Sequence, residues 1–131
     1  MILVDTSAWV EFLRDTGSPV CARVDELLEA DIATCHPIRM EILAGALDER
    51  HLAELRGLLA RASLLPTEPA DYEDAAALYR ACRRQGDTVR RLIDCLIAAT
   101  AIRADASLLH ADPDFEALAR HTPLRIDERS G

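Results

Sequence analysis

The chain has no lysine; all fifteen of its basic residues are arginine. That absence removes P-loop lysines, Schiff-base lysines and lysine general bases from consideration. Its four cysteines, Cys21, Cys35, Cys82 and Cys95, contain no C-x-x-C pair. Scattered in this way, they read as free thiols filling small core sites, and no zinc site is expected from them. Cys35 and His36 are adjacent, but no second pair exists to complete a metal set. No long hydrophobic run is present either. The longest apolar stretch, "CLIAATAI", falls far short of the roughly 20 residues a bilayer requires. No basic start precedes an apolar core, so no signal peptide is expected and the chain should be cytoplasmic. Internal repeats, linkers and low-complexity tracts are also missing, which suits one domain over residues 1–131.

Half of the residues are hydrophobic, enough for a packed core. The net charge of −8 argues against a nucleic-acid binder, unless part of the acidity holds cations. Short apolar runs alternate with helical periodicity along the whole length. "MILV" reads as a buried strand, and Thr6 or Ser7 can cap a helix through "AWVEFLR". In "VCARVDELLEA", Val20, Val24, Leu27 and Leu28 share one side of a helix. "IAT" is a second strand, followed by a helix opened by Pro37 and closed near Gly45. Further helices are expected over "DERHLAELRGLLARA", "PADYEDAAALYRACRRQ", "TVRRLIDCLIAATAIRA" and "PDFEALAR", with strands at residues 63–65, 107–109 and a last one at "LRI". Alternation of this kind predicts an α/β fold, a mostly parallel sheet covered by helices on both faces.

Ligands of such sheets bind at the carboxyl ends of the strands. Asp5 sits at the end of the first strand. Glu41 comes early in the helix after the second, where an acid also favours the helix dipole. Asp94 lies on an apolar stripe with Ile97, Ala98 and Ala101, and a buried aspartate needs a partner or a cation. A structural salt bridge to an arginine is the plain alternative there. Asp112 and Asp114 follow another strand end in "HADPDF", where turn chemistry alone would also place them. Singly, each acid is ambiguous. Clustered, two such charges about 4 Å apart cost roughly 4 kcal/mol at an effective dielectric near 20, so a counter-cation is required. Hard oxygen donors with few histidines suit Mg²⁺ or Mn²⁺, which activate water and stabilise an in-line phosphodiester displacement.

The series "VDTSAW", "PIRMEILAG", "DCLIAATA" and "HADPDF", in this order, resembles the PIN-domain ribonucleases, specifically the VapC toxins of bacterial toxin–antitoxin modules. The resemblance spans nearly the whole chain. It implies a three-layer α/β/α domain and metal-dependent RNA hydrolysis, with Asp5, Glu41, Asp94 and Asp112 matching the family's acidic quartet. Asp114 matches a further acid, and Ser7 a hydroxyl that supports the site. His110 stands where many members carry threonine. The family usually forms homodimers and is silenced by a VapB-like antitoxin, whose C-terminal segment would bring an arginine to the acids. Trp9 is then a core or dimer-contact aromatic. Arg80, Arg83, Arg84, Arg90 and Arg91 read as a solvated helix face, although Arg90 and Arg91 are close enough to Asp94 to hold an RNA phosphate. Two other readings compete with this one. A phosphoryl-accepting receiver domain would need a late lysine, and a catalytically silent PIN-like interaction domain would have no use for the acids.

Overall fold

The computed structural model describes residues 1–131. Four strands, β1 (Ile2–Val4), β2 (Ile32–Cys35), β3 (Ser63–Leu65) and β4 (Ser107–Leu109), alternate with seven helices. The helices are α1 (Thr6–Leu13), α2 (Pro19–Leu27), α3 (His36–Ala44), α4 (Glu49–Leu59), α5 (Pro69–Arg84), α6 (Leu92–Arg103) and α7 (Asp114–His121). The sheet order is β3-β2-β1-β4, and every pairing is parallel. Leu3 and Val4 point to opposite faces of β1, yet both are fully buried. Helices therefore cover both faces, as the strand–helix alternation predicts. One contiguous core of 29 buried residues joins the layers.

From β1 the chain moves to β2 and β3 on one side, then crosses back to place β4 on the other side of β1, which makes the carboxyl end of β1 beside β4 the topological switch point. Asp5 occupies that point. Trp9 is fully buried against Phe12 in an edge-on contact, so the core reading of that residue applies. All four cysteines are free and buried, and burial pushes the Cys35 and Cys95 thiols up to about 12.

Four details depart from the sequence reading. The cap of α1 is Asp5 itself, not Thr6 or Ser7, because the chain is still extended at Asp5 and its carboxylate accepts the Ser7 N–H. Glu41 lies in the second turn of α3, beyond reach of a first-turn dipole effect, since the helix already starts at His36. Helix α6 begins at Leu92 instead of Thr88. Arg91 is extended, and the Arg90 N–H is taken by the Asp114 side chain (3.1 Å), which holds this segment out of the helix. Finally, "LRI" forms only a single parallel bridge, Leu108 to Ile126, because the Asp127 carboxylate accepts the Arg129 N–H and turns the chain away.

Candidate active site

The loop after β1 orients two acids at once. Asp5 continues the β ladder through its N–H to the Leu109 carbonyl (3.0 Å), and its side chain then turns back to cap α1. Oδ2 accepts both the Ser7 N–H (2.9 Å) and the Ser7 hydroxyl (2.6 Å). Oδ1 is buried and has no partner. Ser7 Oγ in turn accepts the Ala111 N–H (2.9 Å), which ties the start of α1 to the β4–α7 loop. The neighbouring Thr6 hydroxyl donates to Glu41 Oε1 (2.7 Å), which brings the second turn of α3 to the same place.

Two more acids arrive from the far half of the chain. Asp94, in the first turn of α6, is fully buried. Asp112 stands in the β4–α7 loop and Asp114 opens α7; the Asp114 N–H donates to Asp112 Oδ1 (3.0 Å). His110, also buried, accepts the Asp112 N–H at Nδ1 (3.0 Å), so the ring proton sits on Nε2 and faces Glu116 (3.0 Å). In the sequence, His110 reads only as a departure and Thr6 only as a cap. Both are braces. The only available signal is their position one or two residues from an expected acid.

Electrostatics show that the acids share one field. Burial raises Asp5 and the nearby Glu41 charge adds to it, while the Ser7 hydrogen bonds pull the other way. Asp94 is pushed up to about 6, chiefly by burial; Arg91 opposes that rise, and the Asp5 and Asp112 charges reinforce it. These are the signatures of carboxylates gathered with too little compensation.

Two guanidiniums supply what compensation there is. Arg91 spans Glu41 Oε2 (3.0 Å) and Asp94 Oδ1 (2.9 Å). Arg90 spans Asp112 Oδ1 (2.9 Å) and Asp114 Oδ2 (3.0 Å). The structure thus directs Arg90 and Arg91 at the acids themselves. With the side chains turned toward these arginines, no three acids, histidines or cysteines converge closely enough to hold a metal ion.

The PIN domain family model matches residues 2–121. VapC ribonuclease Mb1587 of Mycobacterium bovis and ribonuclease VapC11 of Mycobacterium tuberculosis are each 50% identical to this chain over 129 residues, covering 95% of it and 96% of their own length. Among solved structures, VapBC2 from Rickettsia felis, bound to a DNA fragment from their promoter, superposes with a TM-score of 0.78 at 20% identity, covering 97% of this chain and 98% of that one. FitAcB from Neisseria gonorrhoeae gives 0.72 at 23% identity, with 98% of both chains covered. The ordered acids, the parallel sheet with its switch point at Asp5 and these likenesses agree: the chain belongs to the PIN-domain family and, within it, to the VapC group.

Proposed function

We propose that this chain is a divalent-metal-dependent endoribonuclease, the toxin of a toxin–antitoxin pair, acting in the cytoplasm as a single nuclease domain over residues 1–131. The observation that carries this reading is Asp5 Oδ1, a buried carboxylate oxygen without a partner beside a buried Asp94 raised to about 6. A fold seldom leaves such an atom unsatisfied unless something else binds it.

The donor set fits a hard cation. Asp5 and Asp94 would hold Mg²⁺ or Mn²⁺, Glu41 and Asp112 would complete the shell, and Asp114 would lie just beyond. When bound, the ion lowers the pKa of a water and offsets charge developing on the phosphodiester. The protein supplies the positioning. Ser7 fixes Asp5 Oδ2 and so leaves Oδ1 as the free oxygen, Thr6 fixes Glu41, and His110 fixes the Asp112 backbone. With an ion held there, the acids would no longer need Arg90 and Arg91 as counter-charges. Released, each can take a phosphate of the RNA beside the reacting group.

Partners follow the same chemistry. A groove of about 480 Å³ between α1, α3 and α4 is lined by Val10, Leu13 and Leu47 and also by Thr6 and Glu41. An antitoxin segment with an apolar face and one arginine suits that lining, and its guanidinium would meet the acids. Met40, Tyr72 and Leu92 are each more than half exposed and surround a second groove lined by Ile93 and Leu96. That apolar face suits the twofold contact of a homodimer.

The test is RNA cleavage by purified protein with Mn²⁺, Mg²⁺ or excess EDTA, for wild type and Asp94→Asn. Cleavage should require the metal and fall to background in the variant. Undiminished cleavage in EDTA overturns the metal site, and metal binding without any cleavage points to a silent interaction domain.

A further inference from the structure

Nine of the fifteen arginines form ion pairs, and six do not. Three of those six, Arg80, Arg83 and Arg84, lie within five residues at the end of α5. Arg80 and Arg84 are one helical turn apart and share a face, and all three are exposed. Arg84 lines a polar depression of about 620 Å³ with Arg120 and His121 at the end of α7. The acid beside it is Asp87, which pairs with Arg120 (3.2 Å) and His121 (2.6 Å) and leaves Arg84 uncompensated. In a chain of net charge −8 this is a concentrated basic surface.

Its position is set by α7. That helix opens at Asp114, which Arg90 ties to the acidic site, and closes at Arg120 and His121. Seven rises of about 1.5 Å from Asp114 to His121 separate the depression from the acids by roughly 10 Å along the helix. A single strand of RNA held at the acids reaches that far within a few nucleotides. Acids at the reacting centre repel the rest of the strand, so affinity must come from cations placed to one side.

We infer that Arg84, with Arg80 and Arg120, forms a second anion site that holds a backbone phosphate of single-stranded RNA a few nucleotides from the acidic centre. This rests on the nuclease reading proposed above. Guanidiniums without base-edge partners hold a strand by its backbone, so the site adds affinity and register and no sequence choice.

The experiment compares wild type, the double variant Arg80→Gln/Arg84→Gln, and Arg56→Glu, the last two differing from wild type by the same net charge. Arg56 is an exposed, unpaired arginine on α4 that controls for a change in net charge. Binding of a labelled single-stranded RNA of about 12 nucleotides is read by anisotropy in EDTA across a salt series. Cleavage of the same RNA is read in Mn²⁺. The double variant should bind roughly tenfold more weakly, with a log–log salt slope shallower by roughly 0.7 for each phosphate no longer held. Its KM should rise while kcat holds, and Arg56→Glu should match wild type. Equal weakening in Arg56→Glu, or an unchanged salt slope in the double variant, overturns the site. If wild type fails to cleave while the binding differences appear, the nuclease reading fails and the anion site stands.

Discussion

Asp71 and Asp94 are both fully buried, and each faces a guanidinium, yet the two environments act oppositely on them. Burial alone would raise Asp71, but hydrogen bonds from Arg103 and from the Glu68 N–H outweigh it and hold the carboxyl below its usual range. Asp94 also has Arg91, and still stands at about 6, because burial and two neighbouring acids dominate. Asp71 is a structural acid; Asp94 is a strained one. A folded-state value above the unfolded value of 3.8 means the folded chain holds the proton more tightly. Asp94 therefore favours folding at low pH, and that contribution is lost as pH rises from about 4 to about 6, a difference of roughly 3 kcal/mol. Asp94→Asn should accordingly raise the metal-free melting temperature at about pH 7.5 and make no difference near pH 3.5. Asp71→Asn should instead lower stability by about 2 kcal/mol at the higher pH, by leaving Arg103 short of its partner. Melts of both variants in EDTA at the two pH values check this. A loss of stability in Asp94→Asn would make it a second Asp71. Asp5 needs a different pair of variants because it is also a helix cap. Asp5→Asn keeps a capping oxygen, whereas Asp5→Ala should cost about 1 kcal/mol more in urea unfolding. Both should lack the stabilisation expected of wild type in Mn²⁺.

Among the elements, the segment Thr88–Arg91 shows how a site can reshape a helix. Sequence periodicity carries α6 back to Thr88, yet the Arg90 N–H and guanidinium are both engaged by Asp114 and the helix starts at Leu92. Asp114→Ala should release that segment, so the Arg90 amide should exchange faster with solvent while the amides of α6 beyond Asp94 stay protected. Equal protection in the variant would mean the extended turn is intrinsic. The four strands were legible because each is a short apolar run between turn residues, and the buried stripe around Asp94 was legible because so few polar residues interrupt it. What tertiary packing decides was not. The second-turn place of Glu41, the Thr6 brace and the reach of Arg91 from the turn before α6 to α3 join residues 35 and 50 positions apart, and periodicity carries no information at that range. Arg91→Met tests the last of these. Freed of its bridge, the pair Glu41 and Asp94 should bind Mn²⁺ more tightly by calorimetry, and the metal-free melting temperature should fall as repulsion goes uncompensated.

At the scale of the whole molecule, the proposed metal site would link ion binding to folding. A ligand that binds only the folded chain at about one hundred times its Kd stabilises it by about 2.7 kcal/mol. Wild type should show an increment of that order in saturating Mn²⁺, reversed by EDTA and absent in Asp94→Asn. The fold class followed from strand–helix alternation alone, whereas the strand order did not, because nothing local says which edge of β1 the last strand takes. That strand order has a further consequence, for timing. Of the four strands, central β1 is made first and its second neighbour, β4, last. Until residues 107–109 leave the ribosome, one edge of β1 is bare and Asp5 has no Leu109 carbonyl to fix its backbone. Asp112 and the Ala111 N–H that anchors Ser7 come later still. A growing chain thus carries Asp5, Glu41 and even Asp94 without assembling them, and the site stays in pieces beside the ribosome until the residues from Ser107 to Asp112 have been added.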